Sequence, residues 1–237
     1  MNKTIIIFLT LLFQTISYGQ TTDFNSKPWE NQKYPIIIDP YQGNEIDFEK
    51  LIQDKKVAGI IHKASQGYSE DSNYKSRSIK AKSKGLLYAS YHLGTKEDPI
   101  KQADFYLKTI ADNLDEPMAL DIEEIGGNNI SLKDAEKFIT RLYEKTNRYP
   151  FIYVNNAVLN EINRLYEKNS IFAKCPLWYA RFVSTLPNLN NKIWKKVTLW
   201  QFSCEINCCE CKCSDNKCKE IKGKKIYTKE YNPDCAS

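Results

Sequence analysis

Two carboxylates, Asp121 and Glu123, stand two residues apart at the end of the apolar run Pro117–Leu120. In a β-strand, residues i and i+2 point to the same face, so these side chains would lie side by side, roughly 6–7 Å apart at the backbone. Two acids held that close resist ionising together, and one keeps its proton to higher pH. One protonated and one ionised carboxyl is the pair that cleavage of a glycosidic bond requires. The pair alone is equally compatible with a solvated strand end or a cation site.

The surrounding chain alternates short apolar runs with helical patterns. Apolar runs predict strands over 34–39, 57–64, 86–91, 117–123, 150–154 and 176–180, and helical spacing follows the first five of them over 47–56, 73–84, 99–113, 131–146 and 157–166. Two more strands, over 197–202 and 225–231, are predicted without helices. Apolar strands alternating with helices indicate a parallel sheet. We therefore predict an α/β fold, a TIM-like barrel of the (β/α)5(β)3 type, with helices missing from its last third and a Cys-rich loop inserted at about 204–224.

Polar and aromatic residues stand at the carboxyl ends of these predicted strands, where barrels of this class place their active sites. They are Asp39, His62, Lys63, Ser65, Tyr91, His92, Asp121, Glu123, Tyr153, Asn155, Tyr179, Arg181 and Gln201. We expect them to converge on one mouth. The two histidines lie on different strands, too few for a Ser-His-Asp or zinc site, so we expect them to support or pack. Lys63 is expected to pair with an acid in the mouth rather than to act as a nucleophile.

Several fragments of the chain, in order, resemble glycoside hydrolase family 25, the secreted lysozymes of the muramidase type. They are Ile38-Asp39 with Gln42-Gly43 and Ile46-Asp47-Phe48, then Ile61–Gly67, Ala89–His92, Leu120–Glu123, Ile152-Tyr153, Leu177–Ala180 and Leu199–Phe202. The resemblance implies hydrolysis of the β-1,4 bond between N-acetylmuramic acid and N-acetylglucosamine in peptidoglycan. It implies that Glu123 donates the proton to the leaving oxygen and that Asp121 and Asp39 assist at the same sugar.

Further residues are candidates for substrate contact at this mouth: Tyr91, Tyr153, Tyr179, Gln201, Lys63 and Glu230. The tyrosines are equally compatible with barrel packing, and Trp178 and Trp200 are expected to face the barrel wall because apolar residues flank them. The family carries an acid near its C-terminus in an Asp-x-Asn motif, and Glu230-Tyr231-Asn232 stands in that place here. This departure, and a shortened loop after Asp39, keep a non-catalytic glycan-binding protein open. A hydrolase of another N-acetylated glycan, such as chitin, is the other alternative.

The first 19 residues have the pattern of a secretory signal peptide. Lys3 precedes the apolar stretch 5–13, and small residues near Gly19 offer a cleavage site. Residues 20–33 are expected to form a leader and 34–237 the barrel domain, in a protein exported to the periplasm or beyond. No membrane anchor, cofactor or metal is expected, and a monomer is the default. The net charge of +5 comes from scattered Lys and Arg residues, which favours a cell wall over nucleic acid as the partner.

Eight cysteines are present, and seven of them fall between Cys204 and Cys235. Export favours disulfides, although eight cysteines allow 105 pairings, so the connectivity stays open. The dense run Cys208–Cys213 is an alternative site for a soft metal ion, although its spacing is not that of paired C-x-x-C zinc ligands.

Overall fold

The computed structural model describes residues 34–203, apart from 125 and 184, together with the backbone of Lys225–Ile226. The predicted signal peptide over 1–19, the leader over 20–33, the Cys-rich insertion over 204–224 and Glu230 lie outside the described residues. Within the described ranges, none of the helices has the length and apolar character needed to cross a bilayer.

Ten strands and five α-helices make up the described chain. In order they are β1 (Ile36–Ile38), β2 (Glu45–Ile46), α1 (Phe48–Gln53), β3 (Val57–Gln66), β4 (Ser69–Glu70), α2 (Tyr74–Ser83), β5 (Leu87–Leu93), α3 (Pro99–Thr109), β6 (Met118–Ile122), α4 (Leu132–Thr146), β7 (Phe151–Asn155), α5 (Asn156–Leu165), β8 (Leu177–Ala180), β9 (Leu199–Gln201) and β10 (Lys225–Ile226). Short 3-10 helices lie at Ala111–Asn113 and Ile171–Lys174.

The main sheet is parallel, in the order β1-β3-β5-β6-β7-β8-β9, with β4 added antiparallel to the end of β3. Each strand from β3 to β7 is followed by at least one helix, which is the pattern that parallel pairing requires. The sheet is curled, and its two edge strands, β1 and β9, approach each other closely enough for Asp39 and Gln201 to form a side-chain hydrogen bond. The predicted α/β fold with a parallel sheet is therefore confirmed.

The predicted eighth barrel strand is wrong in the part that the structure describes. Of the segment 225–231, β10 pairs in parallel with β2, a two-residue strand in the loop after β1, and these two form a separate small sheet. A short apolar run predicts that a strand forms but not which partner it takes, because pairing is decided by contacts distant in sequence.

Side chains of the main sheet divide into two apolar layers. The interior layer contains Ile61, Ala119, Tyr153, Trp178 and Ala180, with Ile37, Ala89, Tyr91, Phe151 and Leu199 against it. Residues one position away, including Ile60, Leu120, Ile152, Leu177 and Tyr179, belong to the larger layer between the sheet and the helices. This alternation follows from the two-residue period of a strand, and it decides which polar residues reach the interior.

Local signals in the sequence set the ends of the helices. Gly85 follows α2 with φ +77°, the left-handed conformation that glycine adopts without steric cost at a helix C-terminus. Ser131 begins α4, and its Oγ accepts a hydrogen bond from the backbone N–H of Asp134 at 3.1 Å. Such a cap stabilises a helix by about 1 kcal/mol. Both predicted helix boundaries are confirmed.

Cys175 is a buried free thiol between α5 and β8. Its Sγ donates a hydrogen bond to the carbonyl oxygen of Ile171 at 3.4 Å, and burial raises the pKa of the thiol to about 12. A disulfide scheme that uses all eight cysteines is therefore wrong for this residue. The other seven lie outside the described residues.

Candidate active site

Three carboxylates meet at the carboxyl-terminal edge of the sheet, on its interior side. Asp39 follows β1, Asp121 lies in β6 and Glu123 follows β6. Each is an even number of residues from an interior side chain of its own strand, Ile37 or Ala119, so strand alternation turns all three inward. Asp121 is only 5% exposed, and the charges of both other acids act on it. We call Asp39, Asp121 and Glu123 the acid cluster.

Two acids of the cluster, Asp121 and Glu123, have pKa values shifted toward protonation. Burial raises the pKa of Asp121 well above its usual value, and the like charges of Glu123 and Asp39 raise it further. Burial also raises the pKa of Glu123. The pKa values of both acids are thus shifted toward protonation, and Oδ1 of Asp121 has no hydrogen-bond partner among the described residues.

Lys63, on the interior side of β3, is a cation beside the acid cluster. Its charge lowers the pKa values of Asp121 and Glu123, while burial lowers the pKa of Lys63 itself. Its Nζ lies 4.9 Å from the centre of the Tyr41 ring, a cation–π contact, and 3.4 Å from Oε1 of Gln66. Lys63 is thus placed to interact with acids in the mouth, as an ion-pairing residue would be.

Tyr91, Tyr153 and Gln201 also lie on the interior side. The Tyr153 hydroxyl donates to Oε1 of Gln201 at 2.8 Å, and Nε2 of Gln201 donates to Oδ2 of Asp39. The rings of Tyr91 and Tyr153 meet the Trp178 ring edge-on, with centroids 6.1 and 4.8 Å away. Trp178, which the sequence assigned to the barrel wall, therefore belongs to an interior aromatic group next to the acids.

Tyr179 is not brought into this site. It is buried in the layer between sheet and helices, and its hydroxyl donates to Oδ1 of Asn156, the first residue of α5, at 2.7 Å. A shift of one residue along a strand reverses the face on which a side chain lies. The sequence could not locate that shift because all four residues of β8 are buried. Tyr179 is therefore withdrawn from the candidate substrate contacts.

The two histidines lie on the helix side of the sheet and are neutral. His62 Nε2 accepts a hydrogen bond from Arg77 at 3.1 Å, so its Nδ1–H donates to the carbonyl of Lys63 at 2.7 Å. His92 accepts from the Ser65 hydroxyl at 2.8 Å and donates through Nε2 to Oε1 of Gln102 at 3.2 Å. Burial lowers the pKa of each histidine to about 4. The third partner of the Ser65–His92 pair is an amide, and both residues are fully buried, so they do not form an accessible nucleophile.

A polar network, which the sequence did not predict, fixes the loop that follows Asp39. Asp71 accepts hydrogen bonds from the backbone N–H groups of Gln42 at 2.7 Å and Asn73 at 3.0 Å. The Arg77 guanidinium donates to the carbonyl oxygens of Tyr41, at 3.0 Å, and Asn44. We call Asp71 and Arg77 the loop clamp. It holds Tyr41 over Lys63 and the loop beside the acid cluster.

No group of histidine, cysteine, aspartate and glutamate residues in the described chain has the arrangement of a metal site. The site offers two carboxyl groups with raised pKa values, Asp121 and Glu123, together with a cation, Lys63, and an aromatic wall. Such a set is suited to donating a proton and to stabilising a developing positive charge.

Comparisons of sequence and of structure with known proteins point to the same family. The model of glycosyl hydrolases family 25 matches residues 38–210. An autolytic lysozyme of Clostridium acetobutylicum is 29% identical over 163 residues, which cover 65% of this chain and 47% of that protein. The chain thus spans about half the length of this curated relative.

Solved structures show the same fold. A family GH25 lysozyme from Aspergillus fumigatus has 27% identity and a TM-score of 0.58, over 70% of this chain and 86% of that one. A family 25 glycosyl hydrolase from Bacillus anthracis has 19% identity and a TM-score of 0.59, over 72% and 80% of the two chains, and at that identity it shows the fold alone. The family match covers well over half of the sequence, so this chain belongs to glycosyl hydrolases family 25, the glycoside hydrolase family that its fragments resemble.

Proposed function

We propose that the protein is a muramidase that hydrolyses the β-1,4 bond between N-acetylmuramic acid and N-acetylglucosamine in peptidoglycan. The observation that carries this proposal is the acid cluster, in which the half-buried Glu123 stands beside the buried Asp121. Membership of family 25 and an autolytic lysozyme among the relatives favour peptidoglycan over chitin and favour catalysis over glycan binding alone.

Glu123 is the proposed proton donor to the leaving oxygen, and its raised pKa keeps it protonated to higher pH than a free carboxyl. Asp121 is proposed to accept a hydrogen bond from the substrate through Oδ1, which is buried and has no hydrogen-bond partner among the described residues. Such a bond stabilises the ionised form of Asp121, and Glu123 is then the acid that retains a proton. Substrate binding would in this way place the proton where cleavage needs it.

Other residues complete the proposed site. The charge of Asp39 acts on Asp121. Asp39 would stabilise positive charge at the anomeric carbon. Tyr91 in the interior wall and Lys63 beside the acids are proposed substrate contacts. Glu230, outside the described residues, is proposed as the counterpart of the family's C-terminal acid.

We also propose the finer organisation of the chain. Residues 34–237 would form one barrel domain carrying the Cys-rich loop at about 204–224, behind a signal peptide over 1–19 and a leader over 20–33. The protein would be exported to the periplasm or beyond and would act on glycan strands as a monomer, without a membrane anchor.

The test is release of reducing ends and loss of turbidity on purified peptidoglycan, with Glu123→Gln beside the wild type. Loss of the general acid is expected to lower the rate by roughly 10²–10⁴-fold. Glu124→Gln is the matched control, because Glu124 is the next residue in the chain but is exposed, and we expect it to retain full activity.

Product masses with N-acetylmuramic acid at the new reducing end would support the proposed bond. Cleavage of chitin without cleavage of peptidoglycan would contradict the substrate. Binding of peptidoglycan by the wild type with no reducing ends released would contradict catalysis.

A further inference from the structure

Hydrogen bonds between side chains link the two edge strands of the sheet at the acid cluster. Gln201 ends β9, and its Nε2 donates to Oδ2 of Asp39, which directly follows β1. The two residues are 162 positions apart in the sequence. A single amide therefore links the first and last strands of the sheet at one of its acids.

The orientation of the Gln201 amide is determined by a third residue, Tyr153. The Tyr153 hydroxyl donates to Oε1 of Gln201 at 2.8 Å, which leaves Nε2 to face Asp39. An ionised carboxylate only accepts hydrogen bonds, so the reverse orientation of the amide would set two oxygens against each other. Tyr153 is itself held in place, since it is 8% exposed and its ring centre lies 4.8 Å from that of Trp178.

We propose that Gln201 is a positioning residue for Asp39, and that Tyr153 acts through Gln201 rather than by binding sugar. This inference rests on the proposed function, because it gives Asp39 a place in the catalysed reaction. It revises the expectation that both residues contact the substrate directly. Its mechanism is that the donated N–H fixes the orientation of the Asp39 carboxylate, whose charge acts on Asp121.

The inference predicts a specific kinetic pattern. Gln201→Met keeps the length of the side chain but removes both hydrogen bonds, and we expect kcat to fall about 10- to 100-fold, the scale of a misplaced catalytic group. KM should change by less than about twofold, because no sugar contact is removed. Gln201→Glu places a second carboxylate beside Asp39, so the pair binds a proton at higher pH and the acid limb of the pH–rate profile moves upward.

A double-mutant cycle with Tyr153→Phe and Gln201→Met tests the coupling. If Tyr153 acts through Gln201, the double variant is no slower than Gln201→Met alone. If the losses in kcat/KM multiply, the two residues act independently and the proposal is overturned. Tyr153→Phe is the milder change, because it removes only one hydroxyl, and it keeps the test decisive should Gln201→Met fail to fold: a rise in KM with unchanged kcat would show a direct sugar contact.

A second readout does not depend on activity. In ¹⁵N NMR of the full protein, the side-chain amide of Gln201 should exchange its protons with water much more slowly than that of Gln53, which is exposed on α1. In Tyr153→Phe the Gln201 exchange should accelerate. Equal exchange at Gln201 and Gln53 in the wild type would overturn the hydrogen-bonded chain even in an active enzyme. Slow exchange in a protein that does not cleave peptidoglycan would instead locate the failure in the proposed function.

Discussion

Asp71 and Asp121 are both buried aspartates whose charges act on Lys63, yet their surroundings differ. Each carboxylate oxygen of Asp71 accepts a backbone N–H, from Gln42 and from Asn73. Asp121 has an oxygen with no partner in the described chain and lies among like charges. A carboxylate with both oxygens hydrogen-bonded is suited to holding a loop, and one with an unpaired oxygen is suited to accepting a hydrogen bond from a ligand.

The two aspartates are also expected to differ in their effect on the stability of the fold. A buried polar atom without a hydrogen bond costs about 1–3 kcal/mol, whereas the paired oxygens of Asp71 avoid that cost. Proteins retain such unfavourable groups where function requires them. The acid cluster is therefore expected to lower stability while the loop clamp raises it, and substitutions in the two regions should separate these effects.

The largest effect is expected from Asp121→Asn, which keeps the shape of the side chain and removes its charge. We expect hydrolysis of peptidoglycan to fall about 10²- to 10⁴-fold, because the acceptor that orients the substrate is lost. Burial raises the pKa of Asp121, so its contribution to stability is complete below the unfolded pKa near 3.9 and is lost as pH rises through the folded value. At pH 7 the variant should thus be the more stable protein.

Urea unfolding at pH 7 and at pH 4, measured beside the rate of reducing-end release, checks both parts. The gain in stability should shrink at pH 4, where Asp121 in the wild type is protonated in the folded state. A variant that is less stable than the wild type at pH 7 would contradict the view that this acid is retained for function.

The next effect is a loss of stability at acidic pH caused by the two histidines. Burial lowers the pKa of His62 and of His92 from 6.5 to about 4. The unfolded chain therefore binds protons between pH 6.5 and 4 that the folded chain does not, and stability falls as the pH falls through that window. Each histidine contributes up to about 3 kcal/mol to this loss.

The histidines lower stability as the pH falls, whereas Asp121 raises it. The effect of the histidines is therefore best measured by urea unfolding of the Asp121→Asn variant. Replacing His92 by glutamine in that background should flatten the slope between pH 6.5 and 4. A slope that is unchanged by the second substitution would show that His92 is protonated in the folded protein.

A smaller effect is expected from Asp71→Asn, the counterpart of the first substitution in the loop clamp. One of the two oxygens becomes an NH₂ group facing a backbone N–H, and we expect a loss of about 1–3 kcal/mol in the free energy of unfolding. Activity should fall less than tenfold, because the acid cluster keeps its charges. Thermal unfolding and reducing-end assays, run on both variants, give opposite patterns if the comparison holds: Asp121→Asn stable and inactive, Asp71→Asn unstable and active.

The sequence predicted the site where local periodicity carried the information. Runs of apolar residues located most strands, and the two-residue period placed Asp121 and Glu123 together. The same reasoning failed for Tyr179, since a strand buried on both faces gives no sign of which side is interior. The loop clamp and the pairing of β10 with β2 were not predictable, because they join residues about 30 positions apart or more, by polar contacts that no periodic pattern records.

The smallest expected effect comes from Lys63, whose charge acts on both aspartates. Lys63→Gln removes a cation that lowers the pKa values of Asp121 and Glu123, so both should rise. If Glu123 is the proton donor, the alkaline limb of the pH–rate profile then moves upward, by less than about one pH unit. Lys75→Gln, which removes an exposed ion pair with Glu70, is the matched control and should leave the profile unchanged. A rise in KM would support the proposed sugar contact of Lys63, and an unshifted limb would contradict its effect on the pKa of Glu123. An upward shift of the alkaline limb with unchanged thermal stability would show that the charge of Lys63 serves catalysis through Asp121 and does not stabilise the loop through Asp71.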